Sequence, residues 1–157
     1  GTVPVGWHDK PVAVERAAHN GVTIWLLDND EYFSRHSLYG DEQGDWSDNG
    51  ERFIFFARGT VELIKALGLK PDIVHAHDWQ TGLVPAYLKT LFKKDAFFKR
   101  KASLFTIHNI GYQGLFPKEK LATCGLPLEE FHPEGLEYWK KISLLMSKTL
   151  QSIITRS

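Results

Sequence analysis

The order of apolar and polar positions along the chain predicts an alternation of strands and helices. In "VAVERAAHNGVTIWLLDND" two extended runs flank Asn20-Gly21, a dipeptide suited to a tight hairpin turn. The second run, residues 22–27, is nearly continuous in apolar and β-branched side chains, the pattern of a buried strand. "EYFSRHSLYGDEQGDWSDNG" shows no periodicity and carries three glycines, which predicts a long loop, of a length that is usually functional or mobile. Asp48 followed by Glu51 has the spacing of a capping box. Phe53, Phe56, Thr60, Ile64 and Leu67 then recur at helical spacing until Gly68 and Pro71 end the run.

A short strand is predicted over 73–75, then a helix over 81–91 capped by Asp78, with Pro85 tolerated near its first turn. Residues 104–107 read as another strand, closing on His108-Asn109. The stretch to about Glu137 is mostly irregular. A last helix over 138–150 and a strand over 152–155 complete the reading. Strands alternating with helices predict an α/β fold: a Rossmann-like parallel sheet with flanking helices covering both faces. Ligands of such sheets sit beyond the carboxyl ends of the strands. "HAHDWQ" and "HNIGYQG" both fall at that edge, at the ends of successive strands.

Composition narrows the function classes. Lys+Arg and Asp+Glu both number 19, so the chain has no net charge and lacks the basic field of a nucleic-acid binder. Binding to an anionic membrane surface loses the same support, and no apolar run reaches the length of a spanning helix. Nucleic acid and membrane are therefore not expected partners. The single cysteine, Cys124, cannot close an internal disulfide and has no histidine companion that would make it a nucleophile. Five tryptophans in 157 residues supply flat rings that pack in cores and also stack on sugars.

Three readings compete for "VHAHDWQ". His75 and His77 form an H-x-H pair that a strand projects to one face, as zinc ligands require, but no histidine follows Asp78 at a metal-site spacing. Alternatively, Asp78 caps a helix and His75 is a satisfied core histidine. The third reading is a sugar site. His108-Asn109 either ties down a loop or reads a ligand, and the residues alone leave that even. Gly111 and Gly114 are too few for a phosphate loop. Trp79 and Tyr112, each taken alone, are ordinary core aromatics.

Taken together and in order, "LYGDEQGDWSDNGERF", "PDIVHAHDWQTGLVPAYLK" and "FTIHNIGYQGLFP" resemble bacterial glycogen synthases and plant-type starch synthases. The likeness runs from "GVTIWLLDNDEYF" through "GLPLEEFHPEGLEYWKKISLL". It implies an incomplete N-terminal domain of a GT-B fold, occupying residues 1–157 and facing the glucan acceptor. It also implies a retaining glucosyltransferase that moves glucose from ADP-glucose to the non-reducing end of an α-1,4-glucan, with no cofactor and no metal. Carried over by position, His108 holds the 6-hydroxyl of the donor glucose, and its carbonyl faces the anomeric carbon. Asp78 is assigned with it to the catalytic site. Trp79 and Tyr39 shape the acceptor side, and Asn109, Tyr112 and Gln113 contact or order the sugar. His77 is placed in the layer behind the residues that touch sugar.

The family's K-x-G-G-L loop has no counterpart before Gly21, its second domain has none at all, and "LLMSKTLQSIITRS" departs from the expected strand end. The resemblance thus implies a domain that starts late and stops early, catalytic only with the remainder. The alternative is a non-catalytic α-glucan-binding or partner-binding module of the same fold. A sucrose-synthase-like transferase fits "HDWQ" and "YQG" less well. Location follows the source: cytoplasm in a bacterium, plastid in a plant or alga.

Overall fold

The computed structural model describes residues 1–145. A first hairpin joins β1 (Thr2–Val5) to β2 (His8–Pro11), and a second joins β3 (Ala13–His19) to β4 (Val22–Asp28). A short helix α1 (Asp30–Phe33) leads to a small ribbon of β5 (Gly40–Asp41) and β6 (Gly44–Asp45). The long helix α2 (Asn49–Ala66) precedes β7 (Ile73–His77), α3 (Asp78–Thr81) and α4 (Leu83–Lys89). Next come β8 (Ala102–Thr106), β9 (Leu115–Phe116), α5 (Lys120–Thr123), a 3₁₀ turn at Leu128–Glu130, β10 (Glu137–Tyr138) and β11 (Lys141–Ser143).

The α/β architecture is as expected. β7 and β8 pair in parallel, with His75 opposite Leu104 and His77 opposite Thr106, so the two motif-bearing strand ends lie side by side. Val74, Ala76 and Phe105 point from this sheet into the core. There they join Ile54, Phe55, Ala57 and Val61 of α2 and Leu83, Val84 and Tyr87 of α4. Val3 and Val5 close the core from the other side of α2. Full burial of each valine, leucine, isoleucine or phenylalanine among them stabilises by about 1.5–3 kcal/mol, and such packing rather than propensity is the main source of a helix's stability. Because α2 is packed on more than one side, its buried surface is wider than the predicted stripe. Ile54 and Ala57 are sealed, whereas Leu67 is 41% exposed.

Several expectations are corrected. The Asn20-Gly21 hairpin forms, with φ of 49° and 80° at the two turn residues. Its second strand is not buried: among the described residues β4 pairs only with β3, and Val22 is 62% exposed. The predicted loop contains α1 and the β5–β6 ribbon, since Gly40 and Gly44 allow a tight reversal. Asp48 stands at the N-cap of α2 but makes no cap bond; its carboxylate takes both Arg35 Nη1 (2.7 Å) and Nη2 (2.5 Å). Glu51 is likewise taken by Lys120. A bidentate charged pair outcompetes a neutral cap donor for the same oxygen.

Asp78 does not cap a helix either: His77 occupies the cap position, and the predicted helix over 81–91 divides at Gly82 into α3 and α4. His75 is exposed rather than a core histidine, because β7 buries only alternate residues. The part of the predicted last helix that is described, from 138 onward, is the β10–β11 hairpin, turning through Trp139 and Lys140 at φ of 52° and 62°. The rest of that helix and the strand over 152–155 lie outside the described residues.

Cys124 is buried beside α5, and its carbonyl accepts the Tyr87 hydroxyl at 3.0 Å. Burial pushes its thiol up to about 12, so it is no nucleophile in the folded chain.

Candidate sugar-binding cleft

The site starts from Asp78. It is the first residue after β7 and adopts φ of +55°, a left-handed turn uncommon outside glycine. That turn aims its carboxylate across to the next strand end, where Asp78 Oδ1 accepts the His108 main-chain N–H at 2.7 Å. One carboxylate therefore ties together the ends of β7 and β8. Thr81 secures the same turn, its hydroxyl accepting from His77 N at 2.6 Å and donating to His77 O at 2.6 Å.

Beyond these strand ends opens a cleft of about 760 Å³. Tyr39, Asp78, Trp79, Asn109, Tyr112 and Gln113 all line it. Two of the predicted site residues, His77 and His108, stand beside the cleft rather than in its lining. Asp45, Trp46, Asn49, Gln80 and Phe116 also line it and were not singled out from the sequence. Gln80 could have been found there, since it completes "HDWQ" and its amide donates to the Tyr39 hydroxyl. Asp45 and Trp46 carried no periodic signal, because the loop between α1 and α2 has none, and Asn49 stands at the very start of α2.

Aromatic rings build one wall. Tyr39 and Trp79 lie 6.0 Å apart and tilted by 37°, with Phe53 edge-on to Trp79 at 4.6 Å and Phe116 at 5.9 Å. The facing loop is tied into shape locally. Asn109 Oδ1 accepts from Gly111 N at 2.9 Å, Gln113 Nε2 donates to Ile110 O at 2.6 Å, and Ser143 Oγ donates to Gln113 O at 3.1 Å. Among the described residues, the charged groups of the lining are Asp45 and Asp78, with no lysine or arginine. Flat rings, amides and carboxylates suit a neutral polyol, whose hydroxyls donate to the carboxylates while its C–H faces pack on the rings. A diphosphate would find no cation in this lining, and its two carboxylates would repel it.

Beside the cleft three histidine rings adjoin. The rings of His75 and His77 are 4.0 Å apart, and those of His77 and His108 are 5.4 Å apart and nearly parallel. His77 Nδ1 and His108 Nε2 share one hydrogen bond at 3.1 Å, and His75 Nε2 bonds Thr106 Oγ1 at 2.8 Å. Among the described residues, no group of three His, Cys, Asp or Glu side chains is placed to hold a metal ion.

Burial, then the neighbouring His75 and His108, lower the His77 pKa below its ordinary 6.5, with Asp78 opposing. A base with a depressed folded-state pKa binds fewer protons folded than unfolded. Its contribution is neutral well above pH 6.5 and becomes destabilising as pH falls through 6.5 toward the lower folded value. Denaturant titrations at pH 7.5 and 5.5 should show a smaller acid-induced loss of stability in His77→Gln than in the unaltered chain. Identical losses would remove His77 as the origin.

A family model described as the starch synthase catalytic domain matches residues 2–153. The chain belongs to that family. It is 46% identical over 145 residues to a glycogen synthase of Elusimicrobium minutum, covering 92% of this chain and 30% of that protein. A glycogen synthase of Syntrophotalea carbinolica is 50% identical over 126 residues, covering 80% of this chain and 26% of the relative. The fold matches a solved structure, the catalytic domain of Starch Synthase IV from Arabidopsis thaliana bound to ADP and acarbose. The TM-score is 0.80 at 24% identity, covering 93% of this chain and 31% of the other. The chain thus spans less than a third of each of these proteins.

Proposed function

We propose that the chain forms the acceptor-side wall of the cleft of a retaining glucosyltransferase, which moves glucose from ADP-glucose to the non-reducing end of an α-1,4-glucan. The observation that carries this reading is the convergence of Tyr39, Asp78, Trp79, Asn109, Tyr112 and Gln113 on one cleft whose chemistry suits glucose rings. Family membership supplies the reaction class, and the matched starch synthase structure, with its ADP and acarbose, is consistent with it. The named glycogen synthases are bacterial, which favours the cytoplasm of a bacterium over a plastid. Among the described residues, no helix is long and apolar enough to cross a membrane.

In this reading Tyr39 and Trp79 pack against glucan rings, and Asp78, Asn109 and Gln113 bond their hydroxyls. His108 reaches the donor glucose, its ring steadied by the bond to His77. Breaking the bond between glucose and diphosphate builds positive charge at the anomeric carbon, which an oriented main-chain carbonyl such as that of His108 stabilises. The diphosphate leaves with the opposite charge, and its cationic partners lie outside this cleft.

A second reading, a non-catalytic α-glucan-binding module, is favoured by the same lining: sugar-facing groups without cations. Both readings require glucan binding, so this is the first test. Titration of the chain with maltoheptaose should quench tryptophan fluorescence with a Kd on the order of 1 mM. Trp79→Ala should remove the response, and cellohexaose should not reproduce it. Equal binding of both sugars would overturn both readings.

A further inference from the structure

Arg52 is the largest fully buried side chain of the described residues, at 1% exposure in the first turn of α2. A guanidinium remains charged in proteins, and burying one without compensation is costly. Asp48 is committed to Arg35, and Arg52 bonds instead to α1, to the loop that follows it and to Asn49. Arg52 Nε donates to Tyr32 O at 2.7 Å; Nη1 donates to Leu38 O at 2.7 Å and to Asn49 Oδ1 at 2.6 Å. Asn49 in turn donates from Nδ2 to Tyr39 O at 2.7 Å, a carbonyl that also accepts Trp46 N at 2.8 Å.

These bonds have one geometric result. Leu38 O and Tyr39 O belong to the two peptide groups flanking the Tyr39 Cα. Arg52 holds the first directly and the second through Asn49, which fixes the backbone dihedrals at Tyr39 and with them the direction of its ring. The ring itself is 37% exposed, touching Phe53 and Trp79 and bonded to Gln80 at its tip.

We propose that Arg52 is a positioning residue for sugar binding, clamping both peptides of Tyr39 so that its ring stands beside Trp79 as one wall of the glucan cleft. The sugar part of this proposal rests on the function proposed above; the positioning part rests on the structure alone.

Two variants separate positioning from folding. Arg52→Lys keeps the charge but cannot reach two carbonyls and an amide together. Asn49→Asp keeps an acceptor for Arg52, pairs its buried charge, and removes the donor to Tyr39 O. NMR on the 157-residue chain should show cross-peaks between the Tyr39 and Trp79 rings. Both variants should lose them while contacts between β7 and β8 persist. Unchanged Tyr39–Trp79 cross-peaks in folded Asn49→Asp would overturn the proposal.

Maltoheptaose affinity should fall about tenfold in Asn49→Asp. The same substitution should have no further effect in a Tyr39→Ala background, because the ring it positions is gone. Equal losses in both backgrounds would assign Asn49 and Arg52 a general structural role instead. If the unaltered chain binds no maltoheptaose, the glucan reading fails, and the ring cross-peaks still decide the positioning.

Discussion

Incubated with ADP-glucose and maltoheptaose, the isolated 157-residue chain should extend the glucan more than ~10⁴-fold more slowly than a complete glycogen synthase. Transfer requires charge on the departing diphosphate to be met by fixed cations. Each such contact is typically worth about 3 kcal/mol of barrier, and every ~1.4 kcal/mol is tenfold in rate. The cleft carries Asp45 and Asp78 and no lysine or arginine among the described residues, so two or more such contacts have no source in it. The two carboxylates would also repel the leaving group as its charge develops. Release of ADP coupled to chain lengthening is the direct measurement. A rate within a hundredfold of a complete enzyme would show that the cation requirement is met within these residues, and the assigned division of labour would be wrong.

What the sequence makes legible, and what it hides, follows from how far each residue's partner lies along the chain. Asn20-Gly21 requires positive φ at both positions, a demand contained in the dipeptide, and the hairpin forms there. The strands predicted over 73–75 and 104–107 rest on local apolar runs, and their parallel pairing follows from the intervening helix, within strands that extend over Ile73–His77 and Ala102–Thr106. Asp48 and Asp78 were misread for a shared reason. Aspartate at a helix start can accept from the helix, but each of these accepts from a distant donor, Arg35 in one case and the His108 amide in the other. The sequence holds both alternatives, and only the tertiary fold chooses.

Burial shows the same limit. The run at 22–27 is apolar enough for a buried strand, yet its exposure depends on what packs over β4, which local pattern does not specify. The motif residues converged on the cleft because strand ends bring them there. Tyr39 comes from a segment without periodicity, and the hydrogen bonds of Arg52 and Asn49 hold the carbonyls on either side of its Cα. Tyr39 was found through resemblance alone; no elementary rule of patterning would have placed it opposite Trp79.

Gly114→Ala should cost the chain about 2–5 kcal/mol and, in whatever folded population survives, most of its affinity for maltoheptaose. Two terms add. Gly114 has φ of +59°, where an alanine Cβ is crowded by its own backbone at a cost of about 1–2 kcal/mol. The second term comes from Trp79: a Cβ at position 114 would lie 2.5 Å from its Cε3 and 2.8 Å from its Cδ2. Both are ring atoms held between Phe53 and Phe116, so the clash is not relieved by a flexible tip, and overpacking of this kind costs about 1–3 kcal/mol. The loop has little freedom to retreat, since Gly114 O and Gln113 O accept the amides of Leu144 and Leu145 at 3.1 Å. Trp79 must therefore move, and it is the ring on which the cleft's aromatic wall depends. Denaturant unfolding reads the first part and fluorescence titration the second. Trp79→Ala in the Gly114→Ala background should recover part of the lost stability by opening space for the new methyl, without restoring binding. Near-normal glucan affinity in Gly114→Ala would show that Trp79 is not the ring that the sugar needs.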